Sequence, residues 1–404
     1  MSNRPDSVNA LADYLATGYW QATGQSPHHF DSGTISVNLT GLNNDGKALA
    51  RAALDAWEAV GGIHFSEKSS GADITFSDNG SSSDTQVWMS GNEIKSADVN
   101  IGAGWLETYG KSVGTYAFQT YIHEIGHALG LGHSGNYNGG ASIKQARFAS
   151  DSWQTTVMSY FDQDENKSVS ASKAYVVTPM MADILAIQQI YGKAQHGPTF
   201  GKTTYGDDVN LSRNAMTIWD EGGKDTIDVS RDNHDQEISL EDGAFSNVGG
   251  LLGNLGIASG TIVENAVTGS GDDHVSGNKA ANSMALGRGN DVALGKDGND
   301  RLDGQAGNDK LQGDGGNDTL TGGTGTDSFV FSAGKDTVTD FENNRDTLVL
   351  DRDLWGGAAF SAERVLDFAH VEAGSIVFDF GGGDTLRVRG TTDIDALADD
   401  LAFI

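Results

Sequence analysis

Hydrophobic residues in the first half of the chain recur at helical spacing in four stretches, with short strand-like runs between them. The periodicity predicts helices over 8–20, 46–60, 115–130 and 179–191. The apolar runs predict strands over 35–39, 63–65, 73–76 and 97–101. The last helix has Thr178 as its predicted cap, Pro179 as its first residue and Gly192 as its stop. These elements predict a mixed α/β domain that ends near residue 195.

Beyond about residue 200 the helical pattern gives way to β-prone triplets between glycine-rich turns. Aligned in nines, residues 268–330 form seven units with an acidic sixth position and an apolar eighth position. The sixth position holds Asp273, Asn282, Asp291, Asp300, Asp309, Asp318 and Asp327. The eighth position holds Val275, Met284, Ala293, Leu302, Leu311, Leu320 and Phe329. This nonapeptide pattern predicts a parallel β-roll, whereas a flexible Gly/Asp linker would not explain the apolar eighth position.

The aspartates of these units predict an array of several structural calcium ions. Two units make one coil, so aspartates 18 residues apart stack on the same side of the roll. Stacked carboxylates repel unless a cation lies between them, and turn carbonyls add the oxygen ligands that calcium prefers. The predicted ligand positions are Asp273, Asp291, Asp300, Asp309, Asp318 and Asp327 with Gly289, Gly298, Gly307, Gly316 and Gly325. The unit 277–285, with Ala280 and Asn282, is expected to bind an ion less well, and folding of the roll should depend on calcium.

Charge and composition exclude several classes of protein. The formal net charge is −30, and 35 of the 56 acidic residues lie in 220–404, which argues against nucleic acid or an anionic membrane as partner. No apolar run approaches the roughly 18 residues of a membrane span. The absence of cysteine excludes disulfides and thiolate metal sites. Residues 1–16 do not have the pattern of a secretory signal peptide, which taken alone would indicate a cytoplasmic protein.

Residues 123–133 read HEIGHALGLGH and carry the clearest chemistry. His123 and His127 are four residues apart, so a helix places both on one face where they can hold one ion. Glu124 lies beside the first histidine, where its carboxylate can reach a metal-bound water without being a ligand itself. Gly130 allows the positive-φ turn that ends the helix, so that His133 can return as a third ligand. Three neutral imidazoles and an open fourth position predict one catalytic zinc ion.

The extended histidine motif followed by a methionine turn is the pattern of the metzincins. The triplet MSY at 158–160 and the stretch GNYNGG at 135–140 resemble the serralysin family. The resemblance implies that Met158 is the floor of the metal site and that Tyr160 is a labile further zinc ligand and oxyanion donor. The chain departs from the family at Ser134, where serralysins usually have proline and matrixins have serine.

The zinc motif and the repeats together resemble the serralysins over most of the chain. The resemblance implies a multi-domain protein with an α/β metzincin protease domain followed by an all-β parallel β-roll/β-sandwich domain. Its expected parts are an N-terminal, propeptide-like segment at 1–30, the zinc protease domain at 31–200, and a roll at 201–404 with repeats at 268–330 and a C-terminal secretion region. It further implies a monomer that type I (ABC) secretion machinery exports, and hence a secreted, extracellular protein, which reverses the cytoplasmic interpretation.

The predicted function is a calcium-stabilised zinc endopeptidase that hydrolyses protein and peptide substrates, with Glu124 as general base. Strand 97–101 is the predicted sheet edge that holds an extended peptide by backbone pairing. The alternative is a non-catalytic calcium-binding adhesin or surface binding protein whose working part is the roll. Glu124 speaks against that alternative, because a structural zinc has no use for a base there. A protease specific for one protein rather than many cannot be distinguished from the sequence.

Overall fold

A computed structural model describes residues 7–195 and 199–404, so residues 1–6 of the predicted N-terminal segment and residues 196–198 near the predicted domain boundary lie outside the described residues. The chain forms two compact units. The first comprises the described residues up to Phe200 together with Val209–Glu221 and Leu251–Thr261. The second comprises Gly201–Asp208, Gly222–Gly250 and Ile262–Ile404. Two segments beyond residue 200 therefore belong to the first unit, as do the described residues before 31.

The first unit begins with a helical segment and continues into a five-stranded sheet. These elements are α1 (Val8–Asp13), a π-helical turn (Tyr14–Gly18), α2 (Tyr19–Ala22), β1 (Thr34–Gly41), α3 (Asn44–Glu58), β2 (His64–Glu67), β3 (Ile74–Ser77), β4 (Ser83–Ser90) and β5 (Glu93–Ile101). The strand order is β2-β1-β3-β5-β4, and all neighbours are parallel except β4, which is antiparallel to β5. The prediction that 97–101 forms the sheet edge is wrong, because β5 lies between β3 and β4 and the edge strand is β4.

The rest of the first unit up to residue 195 contains three α-helices and a long irregular stretch between the second and the third. Its elements are α4 (Ala103–Tyr109), α5 (Tyr116–Ala128), a 3₁₀ turn (Ile143–Gln145), β6 (Tyr175–Val176) and α6 (Met181–Tyr191). Helix α5 is buried over most of its length, which fits a helix that forms the centre of a unit. Helix α6 ends at Gly192 as predicted but begins at Met181, after Pro179. The later start follows from Asp183, whose carboxylate accepts a hydrogen bond from the Met180 backbone N–H at 2.9 Å and so makes Met180 the cap.

Between residues 199 and 267 the chain adds short strands to both units. These strands are β7 (Thr204–Tyr205), β8 (Asn214–Ile218), β9 (Thr226–Asp228), β10 (Glu237–Ser239), β11 (Phe245–Val248), β12 (Leu251–Ile257) and β13 (Asn265–Val267). Strands β8 and β12 belong to the first unit, where β8 pairs in parallel with both β12 and β6. The other five strands belong to the second unit.

The second unit is a parallel β-roll, which confirms the fold predicted from the repeats. Its repeat strands are β14 (His274–Ser276), β15 (Ser283–Ala285), β16 (Val292–Leu294), β17 (Asp297–Gly298), β18 (Arg301–Asp303), β19 (Lys310–Gln312), β20 (Gly315–Gly316), β21 (Thr319–Thr321), β22 (Ser328–Phe331), β23 (Lys335–Val338) and β24 (Thr347–Leu350). Pairing joins residues 18 apart, such as Val275 to Ala293 and Met284 to Leu302. All seven residues of the eighth position are buried and form the core of the roll.

The last part of the chain extends the two sheets of the roll. It contains α7 (Ala362–Val365), β25 (Ala369–Glu372), β26 (Ser375–Gly381), β27 (Asp384–Val388) and β28 (Leu401–Phe403). Strand β27 pairs in parallel with β23, and β28 pairs in parallel with β24. Among residues 7–195 and 199–404, no helix has both the length and the apolar character needed to cross a membrane.

Candidate metal centre

Helix α5 and the turn after it bring three histidines to one point. His123 and His127 lie one helical turn apart on α5, and the helix ends within two residues of His127. Gly130 then takes a φ of +103°, and the chain turns back so that His133 faces the other two imidazoles. One nitrogen of each ring lies within 4.8 Å of the others. The local spacing of the sequence motif thus predicts the cluster that the structure contains.

The hydrogen bonds of the imidazole rings define which nitrogens face the common point. Nδ1 of His123 lies 2.8 Å from the Val157 carbonyl oxygen, and Nδ1 of His127 lies 2.8 Å from the Leu131 carbonyl oxygen. A carbonyl oxygen only accepts, so both Nδ1 atoms carry the proton and both Nε2 atoms present a lone pair. Nε2 of His127 lies 3.1 Å from Nε2 of His123 and 3.0 Å from Nε2 of His133. The lone pairs of His123 and His127 lie so close that they repel one another unless a cation accepts them.

The protonation of the rings fits the same cation. Burial, with the neighbouring histidines, lowers the pKa of His127 to about 3 and the pKa of His133 well below its ordinary value. Both rings are therefore neutral at neutral pH, the form in which imidazole binds a metal. Three ring nitrogens in this arrangement fit zinc, which prefers nitrogen and sulfur ligands in tetrahedral geometry.

Met158 and Tyr160 lie where the sequence analysis expects them, on the loop that follows the cluster. Met158 is fully buried under α5, and a Cβ atom added at Gly126 would lie 2.7 Å from its sulfur. The Tyr160 ring centroid lies 4.6 Å from that of His133, and its hydroxyl accepts a hydrogen bond from the Gly139 backbone N–H at 3.2 Å. Burial raises the Tyr160 pKa above its ordinary value, so its hydroxyl keeps its proton at neutral pH.

A buried carboxylate, Asp183 on α6, holds the start of this loop. It accepts hydrogen bonds from the Thr156 hydroxyl at 2.5 Å and from the Val157 backbone N–H at 2.7 Å. Burial raises the Asp183 pKa to about 7, while these hydrogen bonds oppose the shift. Since the Val157 carbonyl in turn orients His123, the contacts connect α6 to the metal cluster.

Glu124 lies beside the cluster and is 7% exposed. Its Oε2 atom accepts a hydrogen bond from the Thr85 hydroxyl on β4 at 2.7 Å. Burial raises the Glu124 pKa above its ordinary value, whereas His123 and the Thr85 hydroxyl lower it. A carboxylate poised in this way can exchange a proton with a neighbouring water or amine.

An open cleft of about 820 Å³ contains the cluster. One wall is the edge strand β4, and another is the helical segment before residue 30, which supplies Tyr19 and Trp20. The sequence analysis did not find Thr85, Tyr19 or Trp20 as site residues. No local signal could have found them, because they are distant in sequence from the histidine motif.

The aspartates of the roll form a second arrangement, within the second unit. In most of them Oδ1 accepts a hydrogen bond from the backbone N–H of the residue 18 positions earlier, at 2.7 Å for Asp291 and Asp300 and 2.8 Å for Asp309 and Asp318. Oδ1 of Asp273 instead accepts from the Gln236 backbone N–H at 2.8 Å. The other carboxylate oxygen, Oδ2, is buried with no hydrogen-bond partner among the described residues in five cases. These are Asp273, Asp291, Asp300, Asp309 and Asp318. Buried oxygens without partners are costly, and they fit the oxygen-only coordination of calcium.

The raised pKa values of these stacked aspartates, which we call the aspartate ladder, support a bound cation. Burial, helped by neighbouring aspartates, raises the pKa of Asp291 and Asp300 to about 7 and that of Asp309 to about 6. Asp327 belongs to the same ladder, and its Oδ1 accepts from the Asp309 backbone N–H. All five predicted glycines take positive φ angles. Gly298 and Gly316 do so at the ends of the two-residue strands β17 and β20, and Gly289, Gly307 and Gly325 do so between strands. The structure thus brings the predicted aspartates and turn glycines into register.

The degenerate unit differs from its neighbours in a way that its sequence suggests. The amide nitrogen of Asn282 donates to the Glu264 carbonyl and to Asn278 Oδ1, both at 3.1 Å. Its Oδ1 atom accepts from the Asn278 backbone N–H at 2.9 Å. This coil satisfies its sixth-position side chain with protein groups alone.

Two family models match separate parts of the chain. The family model described as "Matrixin" matches residues 35–140, and the model described as "Peptidase M10 serralysin C terminal" matches residues 201–382. The chain is 36% identical to "Metallopeptidase AprA" of Pseudomonas marginalis over 267 residues, which cover 60% of this chain and 56% of that protein. It is 43% identical to "Serralysin C" of Dickeya chrysanthemi over 172 residues (39% and 36%) and 35% identical to "Serralysin" of Photorhabdus luminescens over 269 residues (61% and 55%). The matched residues span about half the length of the Pseudomonas and Photorhabdus relatives and about a third of Serralysin C.

Proposed function

We propose that the chain is a serralysin-type metzincin, as the matching family models and relatives indicate, and that it is a zinc endopeptidase that hydrolyses extended protein substrates. One observation carries the proposal: three imidazoles bring one ring nitrogen each to a common point, beside the carboxylate of Glu124. His123, His127 and His133 would hold the zinc ion. The open cleft along β4 gives a polypeptide access to it.

Glu124 and Tyr160 have separate roles in peptide hydrolysis. Zinc, when bound, supplies Lewis-acid chemistry that acidifies water and polarises a carbonyl group. The Glu124 carboxylate takes a proton from the attacking water and delivers it to the nitrogen of the leaving amine. The Tyr160 hydroxyl donates a hydrogen bond to the oxyanion that forms on the substrate. To do so it exchanges its contact with Gly139 for one with the substrate, consistent with the labile role that the family resemblance implies.

Strand β4 is the element suited to hold the substrate. It lies at the sheet edge, and its residues 83–87 line the cleft beside Glu124. An extended peptide can pair with such an edge through backbone hydrogen bonds alone. Recognition by backbone groups favours broad specificity over the cleavage of a single bond.

The second part of the proposal is that the roll binds calcium ions, which stabilise it. The orphaned Oδ2 atoms of the aspartate ladder and the carbonyls of the turn glycines would hold several ions between coils. The coil of Asn282 needs no ion, because protein groups already satisfy its side chain. Calcium that binds only the folded roll stabilises it by mass action. We propose accordingly a monomeric, secreted protein that type I machinery exports at low calcium and that folds in the calcium outside the cell.

Casein hydrolysis by the full chain in calcium, beside its Glu124→Ala variant, tests the function. The parent should cleave casein at many bonds, and Glu124→Ala should keep its zinc yet lose turnover, because only the base is removed. Glu107→Ala, which removes an exposed glutamate of the same unit, is the matched control and should behave as the parent does. A zinc-loaded, folded parent without activity on casein or on mixed peptides would refute the endopeptidase and favour a binding protein. Near-normal activity of Glu124→Ala would refute the role of Glu124.

A further inference from the structure

The third histidine comes from a loop that α5 no longer supports. His123 and His127 are fixed by their helix, but His133 lies five residues beyond Ala128, the last residue of α5. The backbone of this loop is instead held by the helical segment near the start of the chain. Here the helix widens into the π-helical turn Tyr14–Gly18, a feature that often marks functional sites. The Leu15 carbonyl, inside that turn, accepts a hydrogen bond from the Gly132 backbone N–H at 2.8 Å.

A second hydrogen bond fixes the loop where it leaves the helix. The indole Nε1–H of Trp20 donates to the Gly130 carbonyl oxygen at 2.8 Å. The His28 ring packs on the Trp20 ring with centroids 4.2 Å apart, which limits the rotation of the indole. A Cβ atom at Gly130 would lie 2.1 Å from the His28 carbonyl oxygen, so the two segments are in close contact here as well.

The third contact is with the side chain of His133 itself. The ring of Tyr19 meets the imidazole of His133 edge-on, with centroids 5.5 Å apart and an interplanar angle of 86°. A Cβ atom at Gly132 would lie 2.3 Å from the same tyrosine ring, so the loop can lie this close only with glycine there. Tyr19 is itself buried. The phenol ring therefore limits both the position of the loop and the tilt of the imidazole.

We propose that Leu15, Tyr19 and Trp20 form an N-terminal brace that positions His133 as the third metal ligand. The proposal rests on the proposed function only in taking zinc as the metal. It assigns the segment from Val8 to His28 to the working metal site rather than to a discarded propeptide. Proteolytic removal of this segment would then weaken metal binding, even though none of its residues is a ligand. The three brace residues are positioning residues, since they act through the loop.

Zinc affinity of the full chain tests the brace without recourse to hydrolysis. Trp20→Phe keeps an aromatic ring and deletes the N–H that bonds Gly130, while Tyr19→Leu deletes the ring against His133. Partners of metal ligands typically contribute 10–100-fold to metal affinity, and we expect each variant to bind zinc at least about tenfold more weakly in chelator competition. The absorption bands of the cobalt-substituted protein should change as well, because they report the geometry of the ligands. Tyr19→Phe, which keeps the ring, should retain the affinity and spectrum of the parent.

A matched control separates this effect from general destabilisation. Trp355→Phe deletes an indole N–H that bonds the Ala358 carbonyl at 2.7 Å in the other unit and should leave zinc binding unchanged. If Trp20→Phe and Tyr19→Leu lower only the melting temperature and keep the parental affinity and spectrum, the brace is overturned. Should Tyr19→Leu fail to fold, Trp20→Phe decides alone. A parent that binds zinc without cleaving peptides would refute the endopeptidase but leave the affinity ratios, and so the brace, open to confirmation by this same experiment.

Discussion

At the scale of single residues, Thr85 lowers the proton affinity of Glu124, the proposed base. Its hydroxyl donates to Glu124 Oε2 at 2.7 Å and stabilises the carboxylate over the acid. This hydrogen bond lowers the Glu124 pKa, so its loss in Thr85→Val should raise that pKa and move the acidic limb of the activity profile to higher pH. A hydrogen bond to a charged group contributes about 1.5–3 kcal/mol, so activity below the shifted limb should fall by about tenfold or more.

The kcat/KM of a peptide substrate measured against pH checks the Thr85 prediction. Thr85→Ser keeps the hydroxyl and should keep the parental limb, which separates the hydrogen bond from the packing of the side chain. If the acidic limbs of the parent and of Thr85→Val coincide, Thr85 does not lower the pKa of Glu124.

The histidines were predictable because a helix brings residues four apart together. Thr85 was not, since it lies 39 residues before Glu124 on a strand without apolar alternation.

At the scale of elements, the coils of the roll depend on glycines whose positions leave no room for a Cβ atom. Gly316 takes a φ of +146°, and a Cβ atom there would lie 1.5 Å from the Gly298 carbonyl oxygen of the preceding coil. Gly316→Ala should therefore destabilise the calcium-loaded roll by about 3 kcal/mol or more, since both the backbone and the stacking must shift. Its neighbour Gly315 is the matched control, because a Cβ atom there first meets the end of the Asp297 side chain at 3.2 Å.

Thermal unfolding of the two glycine variants in calcium compares them directly. Equal melting temperatures for Gly316→Ala and Gly315→Ala would contradict the close stacking of the coils at Gly316.

The roll was predictable from sequence because each repeat carries its own turn, strand and core residue within nine positions. Strand β4 and the start of α6 were not. Five of the eight residues of β4 are exposed, and the cap of α6 depends on Asp183 reaching back to Met180 in preference to the Thr178-Pro179 signal.

At the scale of the whole molecule, the aspartate ladder couples stability to both pH and calcium. In the calcium-free roll, burial and neighbouring aspartates raise the pKa of Asp291 and Asp300 to about 7 and that of Asp336 to about 8. In the unfolded chain these groups ionise near pH 4. Between these values the folded state holds more protons than the unfolded state, so its stability falls as pH rises. Calcium replaces the protons, and its stabilising effect should therefore grow over the same range.

Thermal unfolding of the full chain at pH 5 and pH 8, in chelator and in calcium, measures this coupling. The roll in chelator should unfold at a lower temperature at pH 8 than at pH 5, with loss of β-type circular dichroism. The increase in melting temperature on adding calcium should be larger at pH 8. Asp300→Asn places at a second coil the amide that Asn282 already provides, so it should reduce the pH dependence in chelator and also the gain from calcium. A parent whose melting temperature in chelator does not fall between pH 5 and pH 8 would show that the ladder is not held by protons, and would refute the coupling at its source.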